Sequence, residues 1–162
     1  LLLLARLGLR AGEIVAMTLD DIDWEAGELT VRGKGGREDR LPIPRDVGQA
    51  MATYLRQGRP QDCPTRRFFV RRKAPRRGFA SSVAVCTIVR RALERAGIAS
   101  PRKGAHLLRH ALAIEMLRKG ASLGEIGEIL RHRSVDTTAI YAKVDLVALR
   151  ALAQPWPSGS AA

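Results

Sequence analysis

The sequence predicts a mixed α+β fold, mainly α-helical. It expects a small antiparallel sheet, a hairpin plus one strand, packed beside a helical bundle. Three observations carry this. Apolar and polar residues alternate in Glu28–Arg32 and in residues 40–43, around the turn signal Gly33-Lys34-Gly35-Gly36, which is the pattern of a β-hairpin. From Ser81 onward, apolar residues recur at helical spacing in runs that stop at Gly97 and Gly120, glycine being the residue that helices end on. The 162 residues, 46% of them hydrophobic, are enough for one compact domain with a sizeable core.

The elements follow in order. Leu1-Leu2-Leu3-Leu4-Ala5 is too short to span a membrane, which takes about 20 apolar residues; Arg6 and Arg10 interrupt it. It reads as the end of a core helix that begins outside the sequence, so the chain is expected to be a fragment. Residues 9–17 form a short helix, and Thr18 to Asp23 a helix end with an acidic turn. Pro42 makes the second hairpin strand an edge or ends it. Residues 46–56 place Val47, Met51 and Leu55 at helical spacing. Residues 58–78 are irregular and basic, with Phe68-Phe69-Val70 as the candidate third strand. Four helices follow: 81–96, capped by Ser81 or Ser82; 103–119; 122–130, opened by the capping box Ser122–Glu125; and 134–141. A fifth starts at Asp145, and residues 153–162 form a flexible tail.

Charge narrows the function. Lys and Arg number 28 against 16 Asp and Glu, a net charge of +12. A foldable chain this basic attracts polyanions. Aromatic residues make up only 4%, too few for a platform on which single-stranded bases stack. Two cysteines, Cys63 and Cys86, build neither a disulfide framework nor a four-ligand zinc site by themselves, and a reducing compartment suits them.

Three segments carry the chemistry: Gly8-Leu9-Arg10-Ala11-Gly12-Glu13, His106-Leu107-Leu108-Arg109-His110, and Leu130-Arg131-His132-Arg133-Ser134-Val135-Asp136-Thr137-Thr138-Ala139-Ile140-Tyr141. His106 and Arg109 are three residues apart, on one helix face. An Arg fork matches two phosphate oxygens, and Arg10 can clamp the same group. Two guanidiniums neutralise charge building on a phosphoryl group without a metal. A tyrosine hydroxyl titrates near 10, so Tyr141 needs cationic neighbours and a base to act as a nucleophile. Each segment also has a plainer reading. Arg10 and Glu13 form an ordinary i,i+3 pair, Lys34 is solvated in its turn, and Tyr141 is half-buried in a helix. His106 and His110 have the i,i+4 spacing of metal ligands, but no acidic third ligand is near in sequence. Tyr54 reads as structural.

Together these segments resemble the catalytic domain of the tyrosine recombinase (phage integrase) family. The matching residues are Leu-Gly-Leu-Arg10-x-Gly-Glu13, Gly33-Lys34-Gly35-Gly36-Arg37, His106-x-x-Arg109-His110 and Leu-x-His132-x-Ser134-x-x-Thr137-Thr138-x-x-Tyr141. The resemblance runs from about residue 2 to about residue 150 and implies a fold of that catalytic-domain type. It implies a site-specific recombinase or integrase that cleaves and rejoins duplex DNA through a 3′-phosphotyrosyl intermediate. By the same resemblance Tyr141 is the nucleophile, Arg10 and Arg109 hold the non-bridging oxygens, and Lys34 protonates the leaving 5′-oxygen. His106 serves as general acid/base and His132 binds the phosphate. No cofactor and no metal are implied.

The domain expectation is a catalytic domain over 1–152, without all or part of its first helix, and no N-terminal DNA-clamping domain in this chain. Expected partners are double-stranded DNA and further copies, a tetramer on DNA coupled through the C-terminal segment. That segment packs on its own core in the alternative reading. No membrane is expected, and the location is cytoplasmic, on the nucleoid. Arg66, Arg67, Arg71, Arg72, Lys73, Arg76 and Arg77 put seven cations in twelve residues; with Arg37 and Arg40 they are the expected contacts to the DNA backbone, which position without reading sequence. Helix 81–96 either enters the major groove with Arg90, Arg91 and Arg95 or shows a solvated face. Three departures from the family pattern stand out: Arg131 where the family usually has Gly, Ala111 where Thr is common, and Gly12 for a frequent Ser. The rival readings are a truncated, non-catalytic DNA-binding remnant and a type IB topoisomerase-like activity.

Overall fold

The computed structural model describes residues 1–33, 36–99, 104–132 and 135–142. Lys34, Lys103, Ser134, the helix expected from Asp145 and the tail 153–162 lie outside the described residues. The fold is mostly helical with one small three-stranded antiparallel sheet. It divides into two units, Leu1–Leu112 and Ala113–Ala162.

In the first unit, α1 (Leu2–Arg6) buries Leu3 and Leu4. α2 (Ala11–Ala16) is shorter than the expected helix over 9–17, because Arg10 and Met17 both have extended backbone. The sheet has the order β1 (Ile22–Asp23), β2 (Glu28–Arg32), β3 (Glu38–Pro42), with Leu29 paired to both Ile22 and Leu41. Alternation puts Leu29 and Val31 inward, both buried. Pro42 ends the edge strand. α3 (Arg45–Thr53) buries Val47 and Met51, and a turn of π-helix (Tyr54–Gly58) continues it.

The third strand is not Phe68-Phe69-Val70. That segment makes only isolated bridges, Thr18 with Arg67 and Val70 with Gly78. The backbone N–H of Phe68 donates to the Met17 carbonyl at 2.9 Å, and that of Leu19 to the Arg66 carbonyl at 2.9 Å. Ring packing decides the matter. Phe68 is fully buried, with ring centroids 4.8 Å from Phe69 and 5.6 Å from Tyr54. The segment is an aromatic plug, and Tyr54 Oη accepts the Val70 N–H at 3.2 Å. The sheet position falls to the two residues of β1, inside the expected acidic turn.

α4 (Ser82–Arg95) packs along α2 and buries Val85 and Val89. Ser81 takes the cap position, but its side chain makes no capping hydrogen bond. α5 (Ala105–Arg118) leads out of the first unit. The second unit contains α6 (Leu123–Ile129), packed against α7 (Val135–Ala142). The Ser122–Glu125 capping box opens α6 as expected: Ser122 Oγ accepts the Glu125 N–H, and the Glu125 carboxylate accepts from the Ser122 N–H and hydroxyl, both at 2.7 Å.

α4, α5 and α6 end alike. In each, two backbone bonds close a Schellman turn around a left-handed residue. That residue is Gly97 after α4 and Gly120 after α5, where the absence of Cβ makes positive φ strain-free. After α6 it is Arg131, with φ +52°.

Candidate functional site

Arg10 occupies the N-cap of α2. A cation there opposes the positive end of the helix dipole. Glu13, one turn inside, offsets it: its largely buried carboxylate accepts the Arg10 backbone N–H at 2.8 Å and the guanidinium at 2.9 Å. The i,i+3 pair of the sequence is thus a clamp on the Arg10 side chain.

Arg109 reaches the same loop from α5. It is 5% exposed, and its guanidinium donates to the Gly8 carbonyl. A buried cation is tolerated only with its hydrogen bonds made. The bond joins the first and second motifs across 101 residues, two positions from Arg10. His106, three residues before Arg109 on α5, is exposed; the two differ in burial although they are neighbours on the helix. His110 is half-buried.

Lys34 lies outside the described residues, but its hairpin is anchored at the strand ends. Asp21 is 4% exposed and accepts from the Thr18 N–H and hydroxyl and from Arg32. Arg32, the last residue of β2, also donates to Glu38 at 3.0 Å. Across the turn the Gly33 N–H meets the Arg37 carbonyl at 2.7 Å. Asp21 was not singled out in the sequence; its partner Thr18 three residues earlier is the capping signal that could have found it.

The second unit holds the third motif. The His132 N–H donates to the Gly127 carbonyl and that of Arg131 to the Glu128 carbonyl, both at 2.9 Å. These bonds turn the chain at the end of α6 and set the His132 backbone. The His132 ring stacks with Tyr141, centroids 6.2 Å apart at 10°. Its Nδ1 is 2.7 Å from Thr138 Oγ1. Thr138 and Tyr141 are both buried, at 1% and 3% exposure. The role of Thr138 was missed, although its i,i+3 spacing to Tyr141 was visible. Among the described residues no three His, Cys, Asp or Glu side chains group as metal ligands.

The expected DNA-contacting cations divide into two sets. Arg66 forks onto Asp20, holding that carboxyl below the usual Asp range by its hydrogen bonds. Arg67 donates to the Ala16 carbonyl, Arg76 pairs with Asp62, Arg37 with Asp39 at 3.1 Å and Arg40 with Glu28 at 3.7 Å. Arg66 and Arg67 thereby tie the aromatic plug to the end of α2. Arg71, Arg72, Lys73 and Arg77 are exposed on a loop closed by the Val70–Gly78 bridge and by the Arg71 N–H on the Arg77 carbonyl at 3.0 Å. Among the described residues no ion pair ties these four.

Known proteins resemble this chain in sequence and in fold. The sequence model of the phage integrase family matches residues 1–146. A Sinorhizobium fredii protein named as an integrase/recombinase, y4rA, is 62% identical over 157 residues, which cover 97% of this chain and 38% of that protein. The crystal structure of XerA recombinase superposes with a TM-score of 0.76 at 30% identity, over 93% of this chain and 54% of that one. XerH site-specific recombinase, solved with its palindromic difH substrate after cleavage, gives a TM-score of 0.77 at 22% identity over 93% and 42%, a likeness of fold. The chain spans about two fifths of the length of y4rA.

Proposed function

The chain belongs to the phage integrase family, and from that premise we propose that it is the catalytic part of a site-specific recombinase that cleaves and rejoins duplex DNA through Tyr141. The observation that supports this best is the Arg109–Gly8 bond, which draws a buried guanidinium to the loop that carries Arg10. Burial sets Arg109 apart from the exposed cations, which are the ones that supply sequence-independent affinity.

The resemblance to the family gives each group its part in the proposed reaction. The Tyr141 hydroxyl attacks phosphorus, and its proton passes to His106. The P–O5′ bond breaks, and the 5′-oxygen leaves as a hydroxyl with a proton from Lys34. The enzyme is left joined to the 3′-phosphate. Arg10, Arg109 and His132 donate to the non-bridging oxygens, where charge develops. The phosphotyrosyl ester keeps the energy of the broken bond, so attack by a new 5′-hydroxyl reseals the strand without a nucleotide cofactor, and the chemistry needs no metal. Double-stranded DNA is the partner, contacted by Arg71, Arg72, Lys73 and Arg77. Further copies join through the C-terminal segment. Work on chromosomal or mobile-element DNA places the protein in the cytoplasm, and no described helix is long and apolar enough to cross a membrane.

The test uses nicked duplexes with a randomised arm, scored for adducts that survive denaturing detergent. The intact chain is expected to trap a subset of sequences, and Tyr141→Phe to trap none while still retaining DNA. An adduct that persists in Tyr141→Phe overturns the assignment. DNA retention with no adduct from the intact chain favours a non-catalytic binding module.

A further inference from the structure

Thr138 has no task in the reaction above, yet it is among the largest fully buried side chains of the described residues. It shares a face of α7 with Tyr141, its hydroxyl is 2.7 Å from His132 Nδ1, and it is almost wholly buried. α6 comes close on the other side: a Cβ on Gly127 would lie 3.1 Å from Thr138 Oγ1. The Gly127 carbonyl also accepts the His132 N–H. The imidazole is therefore held at its backbone, at Nδ1 and across its face by Tyr141.

We infer that Thr138 is a positioning residue whose hydroxyl donates to Nδ1 of the neutral His132 ring, so that the ring proton sits on Nε2. The inference rests on the recombinase reading for its purpose. In a neutral imidazole one nitrogen donates and the other accepts, and the hydrogen bond at one decides the state of the other. A carboxylate or carbonyl partner only accepts; it would hold the proton on Nδ1 and leave Nε2 bare. A hydroxyl does both. Toward the neutral ring it donates, and Nε2 carries the hydrogen. Toward the imidazolium it turns to accept from Nδ1–H, and Nε2 still carries one. A nitrogen that binds a phosphate oxygen must be a donor, and a hydroxyl partner, unlike a carboxylate or carbonyl, is able to leave it one in both charge states.

Nitrogen-15 spectra of the DNA-free chain test this. There are three histidines, and loss of signals in His132→Gln assigns the ring. The neutral His132 ring is expected to be protonated at Nε2, with Nδ1 as hydrogen-bond acceptor. Thr138→Val, which removes the hydroxyl at nearly constant shape, is expected to erase the acceptor signature at Nδ1. It should also slow adduct formation about tenfold, the scale of one net hydrogen bond, with DNA retention unchanged. Thr138→Ser should restore both. A neutral ring protonated at Nδ1 in the unaltered chain overturns the inference, as does a Thr138→Val spectrum identical to the parent. If Thr138→Val does not fold, the parent spectrum and Thr138→Ser decide. Because the ring is observed without DNA, absence of any adduct removes the recombinase reading and leaves this result standing. An Nδ1–H ring beside normal adduct formation removes only Thr138's role.

Discussion

Replacing Arg131 by Gly and by Ala separates backbone from side chain at the turn that sets His132. Both variants lack the arginine side chain, so their difference reports the left-handed backbone alone. At an ordinary helix position Ala is the more stable of the two by roughly 0.5–1 kcal/mol. At φ +52° the order should invert. A left-handed L-residue is strained by roughly 1–2 kcal/mol, and the extra entropy of unfolded Gly returns about 0.4–1 kcal/mol of that. Arg131→Gly should therefore exceed Arg131→Ala in stability by about 0.8 kcal/mol, the difference between the midpoints of those two effects. Gly124→Ala is the control: Gly124 lies inside α6, and a Cβ there meets only Ser122 Oγ, at 3.8 Å, so Ala should win. Urea unfolding followed by circular dichroism gives the differences. Exchange of the His132 amide, bonded to Gly127, shows whether the gain is local. If Arg131→Ala equals or exceeds Arg131→Gly, the turn is not left-handed and the account of how His132 is placed fails.

Three further outcomes are expected. Arg10→Ala and Arg109→Ala should each slow adduct formation by about 10²–10³, on the order of 2.7–4 kcal/mol, the cost of removing one donor to a developing oxyanion; Arg109→Ala should also destabilise the fold, because it strips a buried carbonyl of its donor, as thermal unfolding will show. Glu125 is held below its ordinary value of 4.5 by the Ser122 hydroxyl and N–H. Its folded value is depressed, so its contribution to stability is present above pH 4.5 and disappears as pH falls through the folded value; Glu125→Gln should flatten that part of the stability–pH curve. Neutralising Arg71, Arg72, Lys73 and Arg77 with Gln should lower the slope of log affinity against log salt by about one for each phosphate that is no longer neutralised, whereas Arg66→Gln should change stability more than the slope, since Arg66 is engaged with Asp20.

Local signals were legible wherever one element contained its whole reason. The hairpin over Glu28–Arg32 and Glu38–Pro42 follows from alternation around a glycine turn. α4 and α5 stop where Gly97 and Gly120 admit positive φ, and Ser122 with Glu125 opens α6 by hydrogen bonds that span one turn. The third strand was not legible, because two residues, Ile22 and Asp23, are too few for any alternation to register. Phe68 looked like a strand because buried aromatic residues are common in strands, but ring packing around Tyr54 holds it instead.

The sequence by itself determined the composition of the chemistry: two arginines, histidines and a tyrosine in motifs whose spacing along helices is a matter of local geometry. Only the tertiary structure decided which groups restrain them. The Arg109–Gly8 bond spans 101 residues and the Arg66–Asp20 pair 46. Thr138 reaches His132 only because α6 and α7 pack closely at Gly127. Periodicity reports the face on which a side chain lies. What meets that face depends on how distant segments are brought together, and no local pattern encodes it.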